Sequence, residues 1–413
     1  MLADGGDQNP IDPSSMLVWD SRRMTDPSPA DDDTAPKAVL SRARRQRSLR
    51  QRSSVRFRRE ERRELRYQLS VAVAVSLSWV AALTPRLLRN WLADRFGDLF
   101  FRLAPTYREN VLANVRQVLG AETPAEEPRR ATQRIFRTSG RNFADLLRVP
   151  HISRDRLARS VPLVSGSWSM LDDALGQGRG VVLMTAHLGA FDYMGHNLAA
   201  RGYPLTSVTG RTTSRFIFDA VTYLRRSHGA KIEEATPAGV RRVIHALRRG
   251  ECVAFVVDYD FFQNGLPTEF FGRMTTLPPG PIRIARETGA TVVGAFARRS
   301  ADGFTLSLEE PFLVEKTNDL DADLARGMAR AVAVLERAIG AAPDQWVMFQ
   351  RVWPETPVDP VRVFPVGSPL ESDLLRRVDD VLPGPRRVEF DNPPETAAPA
   401  DAPTDRTDPP PSR

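Results

Sequence analysis

Residues 181–192 read VVLMTAHLGAFD, and the reading of this stretch decides the fold. The unbroken run Val181–Thr185 suits a strand buried on both faces, the situation of a parallel sheet covered by helices. The chain then turns through His187, and Asp192 falls in the first turn of a following helix. The same alternation continues outward. Strand-like runs LTSVTG (205–210), CVAFVVD (252–258), ATVVGAFA (290–297) and FTLSLEEPFLV (304–314) alternate with amphipathic stretches such as Phe216–His228, Ala238–Arg249 and Pro281–Thr288. The pattern predicts an α/β fold with a mixed, mainly parallel sheet flanked by helices. Chemistry in such sheets collects at the carboxyl ends of strands, which directs attention to the residues just after VVLMT and at the end of CVAFVVD.

His187 and Asp192 stand five residues apart across that turn. On one regular helix they would lie about 140° apart and face poorly. With His187 on the loop, the chain can fold back and bring the Asp192 carboxylate to the imidazole. A carboxylate on one ring nitrogen fixes the tautomer and leaves the other nitrogen to accept a proton. The sequence has no Gly-x-Ser-x-Gly elbow, and its one cysteine, Cys252, lies in an apolar strand. A histidine base without a protein nucleophile suggests direct deprotonation of a substrate hydroxyl. His187, Asp192 and His196 match no usual zinc spacing, so no metal is expected. The Gly176–Gly180 cluster precedes a strand and reads as a turn. His151, His228 and His245 show no partner pattern and read as structural.

The chain has 413 residues and a net charge of +7, and among its 58 basic residues only Lys37, Lys231 and Lys316 are lysines. That bias fits a GC-rich genome, and a single cysteine excludes an internal disulfide. The charge is uneven. Residues 1–36 carry eight aspartates against Arg22 and Arg23 and read as a disordered acidic tail. Residues 37–67 form a basic segment, and 361–413 a Pro/Asp-rich tail. A basic block suits either nucleic acid or a membrane surface, and its neighbour decides between them. Leu69–Leu83 reads LSVAVAVSLSWVAAL, fifteen uncharged positions, short of the roughly 20 that span a bilayer. Flanking arginines and tryptophans suit a helix that lies at, or dips into, the interface. Each arginine adds about 1 kcal/mol of attraction to an anionic leaflet. Residues 68–125 are therefore expected to form a membrane-associating helical region ahead of a catalytic domain at 126–360. Anionic lipids, not nucleic acid, are the expected partners.

His187-x-x-x-x-Asp192 resembles the HX4D motif of glycerolipid acyltransferases. The wider text is similar to the bacterial branch containing the lipid A lauroyl/myristoyl acyltransferases and the phosphatidylinositol mannoside acyltransferases. The likeness continues through Arg201-Gly202-Tyr203-Pro204, Arg211, Asp258-Tyr259-Asp260, Gly265 and Phe270-Phe271-Gly272. It ends with Pro278, Gly280, Pro281, Ala285, Gln345-Trp346 and Arg351-x-Trp353. Phe191-Asp192 stands where the branch has an aromatic-acid pair, and Gln350 where a basic residue is usual.

The resemblance implies transfer of a fatty acyl group from acyl-CoA or acyl carrier protein to a hydroxyl of a membrane glycolipid, without a cofactor, at the cytoplasmic face of the cell membrane. A phosphatidylinositol mannoside is the expected acceptor and lipid A the alternative. A catalytically silent scaffold of the same fold is the rival reading. His187 would be the general base, oriented by Asp192. Arg211, Asp258, Asp260 and Gly272 are the expected substrate-binding residues. Arg211 or the backbone amides after His187 would meet the oxyanion. Asp258 and Asp260, which end an apolar strand where an unpartnered carboxylate is costly, would support the histidine, meet sugar hydroxyls or cap a loop. Phe261, Phe262, Phe270 and Phe271 bracket Gly265 and Gly272 in a segment long enough for a lid.

Overall fold

The computed structural model describes residues 61–210, 214–301 and 303–354. The acidic tail 1–36, most of the basic segment, Arg211 and the tail 361–413 lie outside the described residues. The molecule divides into two units, Met1–Arg63 and Glu64–Arg413, and the sheet and the site lie in the second.

Four helices open the described chain: α1 (Glu61–Leu83), α2 (Arg86–Leu103), α3 (Pro105–Leu119) and α4 (Glu126–Arg148). Pro105 sits at the first position of α3, where a missing N–H costs nothing, so α2 and α3 are separate helices. α1 has 23 residues and is long and apolar enough to cross a membrane by length and composition. It reaches past the fifteen uncharged positions because the preceding charged residues continue the helix. α2 and α4 meet backbone to backbone. A Cβ on Gly97 would come within 2.6 Å of the Phe136 carbonyl, and one on Gly140 within 2.4 Å of that of Ala93. Two bidentate pairs, Arg137–Asp98 and Arg141–Asp94, bind the same interface.

The remainder alternates as expected: α5 (Arg154–Arg159), β1 (Leu163–Ser165), α6 (Trp168–Gly176), β2 (Val181–Thr185), α7 (Phe191–Ala200), β3 (Leu205–Thr209), α8 (Arg215–Arg225), β4 (Lys231–Glu234), α9 (Pro237–Arg248), β5 (Cys252–Val256), β6 (Leu266–Phe270), β7 (Arg273–Leu277), α10 (Gly280–Thr288), β8 (Thr291–Arg299), β9 (Phe304–Leu308) and α11 (Leu320–Gly340). Seven strands form one sheet in the order β1-β9-β8-β2-β5-β3-β4. Every neighbouring pair is parallel except β8–β9. The mixed, mainly parallel α/β architecture read from the sequence is therefore the one observed.

Strand residues alternate between two cores. Val182 and Met184 pack with α9, α10 and α11 on one face, while Val181 and Leu183 pack with α6 and α7 on the other. Asn114 of α3 draws the chain end back over the sheet: its Nδ2 donates to the carbonyls of Met348 and Gln350, and its Oδ1 accepts from the Val352 amide. That return carries Trp346 to the carboxyl edge of the sheet.

Of the segment read as a lid, Phe261 and Phe262 lie in the loop before the hairpin β6–β7, while Phe270 and Phe271 belong to the hairpin itself. Phe271 and Gly272 form its two-residue turn with φ of 50° and 71°, the left-handed pair that a tight hairpin uses. Trp353 pins the tip by donating from Nε1 to the carbonyls of Phe270 and Arg273.

Candidate active site

β2 and β5 are parallel neighbours with Thr185 level with Val256. Two residues beyond each strand end stand His187 and Asp258, so the register alone brings them side by side. His187 Nδ1 lies 2.8 Å from Asp258 Oδ1, and the His187 backbone N–H donates to Oδ2 at 2.9 Å. Trp346 Nε1 donates to the same Oδ2 at 2.7 Å. Asp258 is completely buried. Burial pushes its carboxyl up, yet the His187 charge, the His187 and Trp346 hydrogen bonds and the His187 backbone amide together hold it below the usual carboxylate range. With Nδ1 committed to Asp258, Nε2 is the nitrogen left to exchange a proton.

Asp192 is not the histidine's partner. Its oxygens accept from Arg225 Nε at 2.7 Å and Nη2 at 3.2 Å. The expected fold-back of Asp192 onto His187 fails because α7 starts at Phe191 and presents Asp192 to α8. The turn is held from other directions. Gly189 N–H donates to the Gln345 carbonyl and Ala190 N–H to that of Ala297, so these two amides are not free to meet an oxyanion. Asn142 Nδ2 donates to the Gly189 carbonyl while its Oδ1 accepts from Arg299.

The other expected substrate-binding residues separate. Asp260 accepts from the amides of Asn264 and Gly265, the loop-capping alternative, and is buried in doing so. Gly272 sits at the hairpin tip, outside the cavity beside His187. Burial pushes the Cys252 thiol well up, which leaves it no nucleophile. Trp346, Asn142 and Arg225 carry roles that the sequence reading did not assign.

His187 opens on a cavity of about 520 Å³, within the usual range of ligand sites. Phe191 and Phe261 stand edge-on to the imidazole. Tyr107, Phe143, Ile217 and Phe261 line the mouth and are themselves solvent-exposed. Inside, the wall is mostly apolar: Met194, Leu205, Val221, Ile232, Ala254 and Val256 contribute to it.

His196 also lines the cavity, 2% exposed, with neither ring nitrogen hydrogen-bonded among the described residues. Burial drives its pKa down from 6.5 to about 4; Asp192 opposes the shift, and His228 and Arg225 add to it. The unfolded chain thus takes up the proton first as pH falls. The stability tied to a neutral His196 is fully present above pH 6.5 and lost as pH drops through 6.5 towards about 4. At about 1.4 kcal/mol per pKa unit, the loss reaches roughly 3 kcal/mol. Denaturant midpoints recorded across this window should therefore fall less steeply for His196→Leu than for the natural chain. Equal slopes would contradict the assignment.

A histidine–carboxylate pair at the carboxyl edge of a mainly parallel sheet, opening on an apolar cavity, suits general-base chemistry on a substrate with a long apolar part. The chain belongs to the bacterial lipid A biosynthesis acyltransferase family, whose profile matches residues 56–355. It is 29% identical over 250 residues to a phosphatidylinositol mannoside acyltransferase of Mycobacterium tuberculosis, covering 59% of this chain and 77% of that protein. A protein of the same description from Mycolicibacterium smegmatis is 26% identical, covering 59% and 79%. A lipid A biosynthesis acyltransferase of Haemophilus influenzae is 26% identical over 178 residues, covering 43% and 54%.

Proposed function

We propose that this protein moves a fatty acyl group from a thioester, acyl-CoA or acyl carrier protein, to a hydroxyl of a phosphatidylinositol mannoside at the cytoplasmic membrane face. The observation that carries the reading is the His187–Asp258 pair at the edge of the apolar cavity. His187 Nε2 takes the hydroxyl proton as the oxygen attacks the thioester carbonyl, and Asp258 stabilises the imidazolium. The tetrahedral species collapses with loss of the thiolate, which receives the proton from Nε2. A thiolate leaves readily, so no covalent enzyme intermediate is needed. The mannoside acceptor is supported by the longer match to the mannoside enzymes than to the lipid A enzyme.

The face of α1 supports a membrane setting. Its small residues Ser70, Ala74, Ser78 and Ala81 are buried against the protein, while Leu69, Val73, Leu77, Trp79, Val80 and Leu83 point outward. A water-exposed helix buries its large apolar residues; this inversion suits contact with lipid. α2 continues the exposed face with Leu88, Trp91, Leu92, Phe96 and Leu99.

Mass spectrometry of lipids from cells with and without the intact protein tests the reading. Loss of one acyl chain from a mannosylated phosphatidylinositol is expected. The same loss from lipid A would move the acceptor assignment, and unchanged lipids would overturn the function.

A further inference from the structure

A carboxylate offers about four lone-pair sites on two oxygens, and burying its charge is costly unless those oxygens are hydrogen-bonded. Asp258, completely buried, has both oxygens met. Oδ1 faces His187 Nδ1 at 2.8 Å, while Oδ2 accepts from the His187 amide at 2.9 Å and from Trp346 Nε1 at 2.7 Å. Two of these three contacts come from His187 itself. Trp346 supplies the one that does not depend on the histidine.

Backbone pairing holds the indole in register with the histidine turn. Gly189 N–H donates to the Gln345 carbonyl at 2.8 Å, Val347 N–H donates to the His187 carbonyl at 2.7 Å, and Leu188 lies opposite Trp346 in the antiparallel bridge between them. Residues 345–347 thus form a short ladder with 187–189. The Trp346 ring packs edge-on with Phe270 and Trp353 and is 1% exposed. That packing fixes the ring, and a buried indole N–H needs an acceptor. The three residues close on one another: the ladder joins His187 to Trp346, the indole joins Trp346 to Oδ2, and Oδ1 returns to Nδ1.

We propose that Trp346 is a positioning residue for acyl transfer: its indole N–H holds the Asp258 carboxylate in the rotation at which Oδ1 meets His187 Nδ1. The inference rests on the base role of His187 given above. A carboxylate held by the histidine alone can turn about its Cβ–Cγ bond, and at intermediate angles neither oxygen meets Nδ1. With Oδ2 fixed from a second segment, Oδ1 stays on Nδ1, the hydrogen stays on that nitrogen, and Nε2 stays open to the substrate. The same bond favours the ionised carboxylate. Without it the pair takes up a proton at higher pH, so the ionised Asp258 and neutral His187 that the reaction needs are lost earlier as pH falls. His187 is the titratable group acting on Asp258. Asp260, on the same segment, turns to the amides of Asn264 and Gly265, and residues 345–347 carry no titratable side chain.

The test replaces Trp346 in the full-length protein by benzothienylalanine, which keeps the shape of the ring and exchanges N–H for sulfur, and by phenylalanine. Trp353→Phe is the control. It takes the same volume from the same aromatic cluster, and its Nε1 donates to the Phe270 and Arg273 carbonyls, not to Asp258. kcat and KM for a hexadecanoyl thioester and a mannosylated phosphatidylinositol are recorded across the pH range in which a histidine titrates. Both Trp346 variants are expected to lower kcat by roughly tenfold with KM little changed, and to move the acid limb of the kcat/KM profile to higher pH. Trp353→Phe is expected to leave the limb in place. An unchanged kcat or a limb that stays put in both Trp346 variants, or an equal move in Trp353→Phe, would overturn the inference and leave the indole as core packing. If Trp346→Phe fails to fold, the benzothienylalanine form decides. No transfer from the thioester by the natural chain, or full transfer by His187→Ala, would instead overturn the functional reading itself.

Discussion

Asp258→Asn is expected to lower acyl transfer by about 10²–10⁴-fold with the fold intact. Asparagine preserves the shape of the side chain. Its carbonyl oxygen can take the place of Oδ2 and still accept from the His187 amide and Trp346 Nε1, which stand at 2.9 and 2.7 Å. Its amide then faces His187 Nδ1, where Oδ1 now lies at 2.8 Å. An amide donates there, so Nδ1 must accept and Nε2 must carry the hydrogen. That is the wrong tautomer for a base, and the charge that would stabilise the imidazolium is gone as well. His187→Ala removes the proposed base directly, and adding it to Asp258→Asn should cost little more if the two groups act as a unit. Asp192→Asn is the control. It breaks the pair with Arg225 and leaves His187 and Asp258 in place, so a loss of at most about tenfold is expected. kcat/KM of the three variants decides the matter: a large loss in Asp192→Asn together with a small one in Asp258→Asn would return the role to Asp192. The lowered pKa of Asp258 also has a consequence for stability. Its contribution is fully present above the usual carboxylate pKa and is lost progressively as pH falls from there through the lowered folded value.

The fold was legible where burial leaves a continuous apolar run. VVLMT, CVAFV and TVVGAFA became β2, β5 and most of β8, because strands covered on both faces need no polar alternation. β4 reads KIEE and β1 reads LVS. Short edge strands of this kind are defined by backbone pairing, which composition does not report. The aromatic pair before Gly272 looked like part of a lid because its left-handed turn and the strand pairing of β6 with β7 are not visible in the residues alone. α1 was read short because hydropathy marks where charges stop, whereas a helix continues through charged residues that face water.

Within the site, His187 was legible from its place after a buried strand. Asp258 was legible as a residue but not as the histidine's partner. The reading favoured Asp192, five residues away, over Asp258, 71 residues away, because local chain geometry can be reasoned through and sheet order cannot. One signal was present: His187 and Asp258 each lie two residues past the end of a buried strand, so adjacency of those strands would make them neighbours. Trp346 left no comparable signal, since its approach to Asp258 depends on the chain end returning over the sheet through Asn114.

Gly189→Ala is the second substitution with a large expected effect, acting without touching the reacting atoms. Gly189 has φ of 56°, and a left-handed conformation costs a residue with a Cβ about 1–2 kcal/mol. The Cβ would also lie 2.1 Å from the carbonyl oxygen of Ala297, so either β8 or the turn must move. β8 is held on one side by β2 and on the other by β9, and the same Ala297 carbonyl accepts from the Ala190 amide. The turn is therefore the part that yields. It loosens the bond from the Gly189 amide to Gln345 and that from Asn142 to the Gly189 carbonyl, and His187 is two residues away. A displacement of about 1 Å at a catalytic group costs on the order of 10²-fold in rate, and crowding of the turn should cost roughly 1–3 kcal/mol of stability. Both quantities are measurable on one preparation, kcat/KM by the thioester assay and stability by denaturant midpoint. If stability falls while turnover per folded molecule is unchanged, the turn serves the fold and not the position of His187. If neither moves, the close approach of Gly189 to Ala297 is not present in solution.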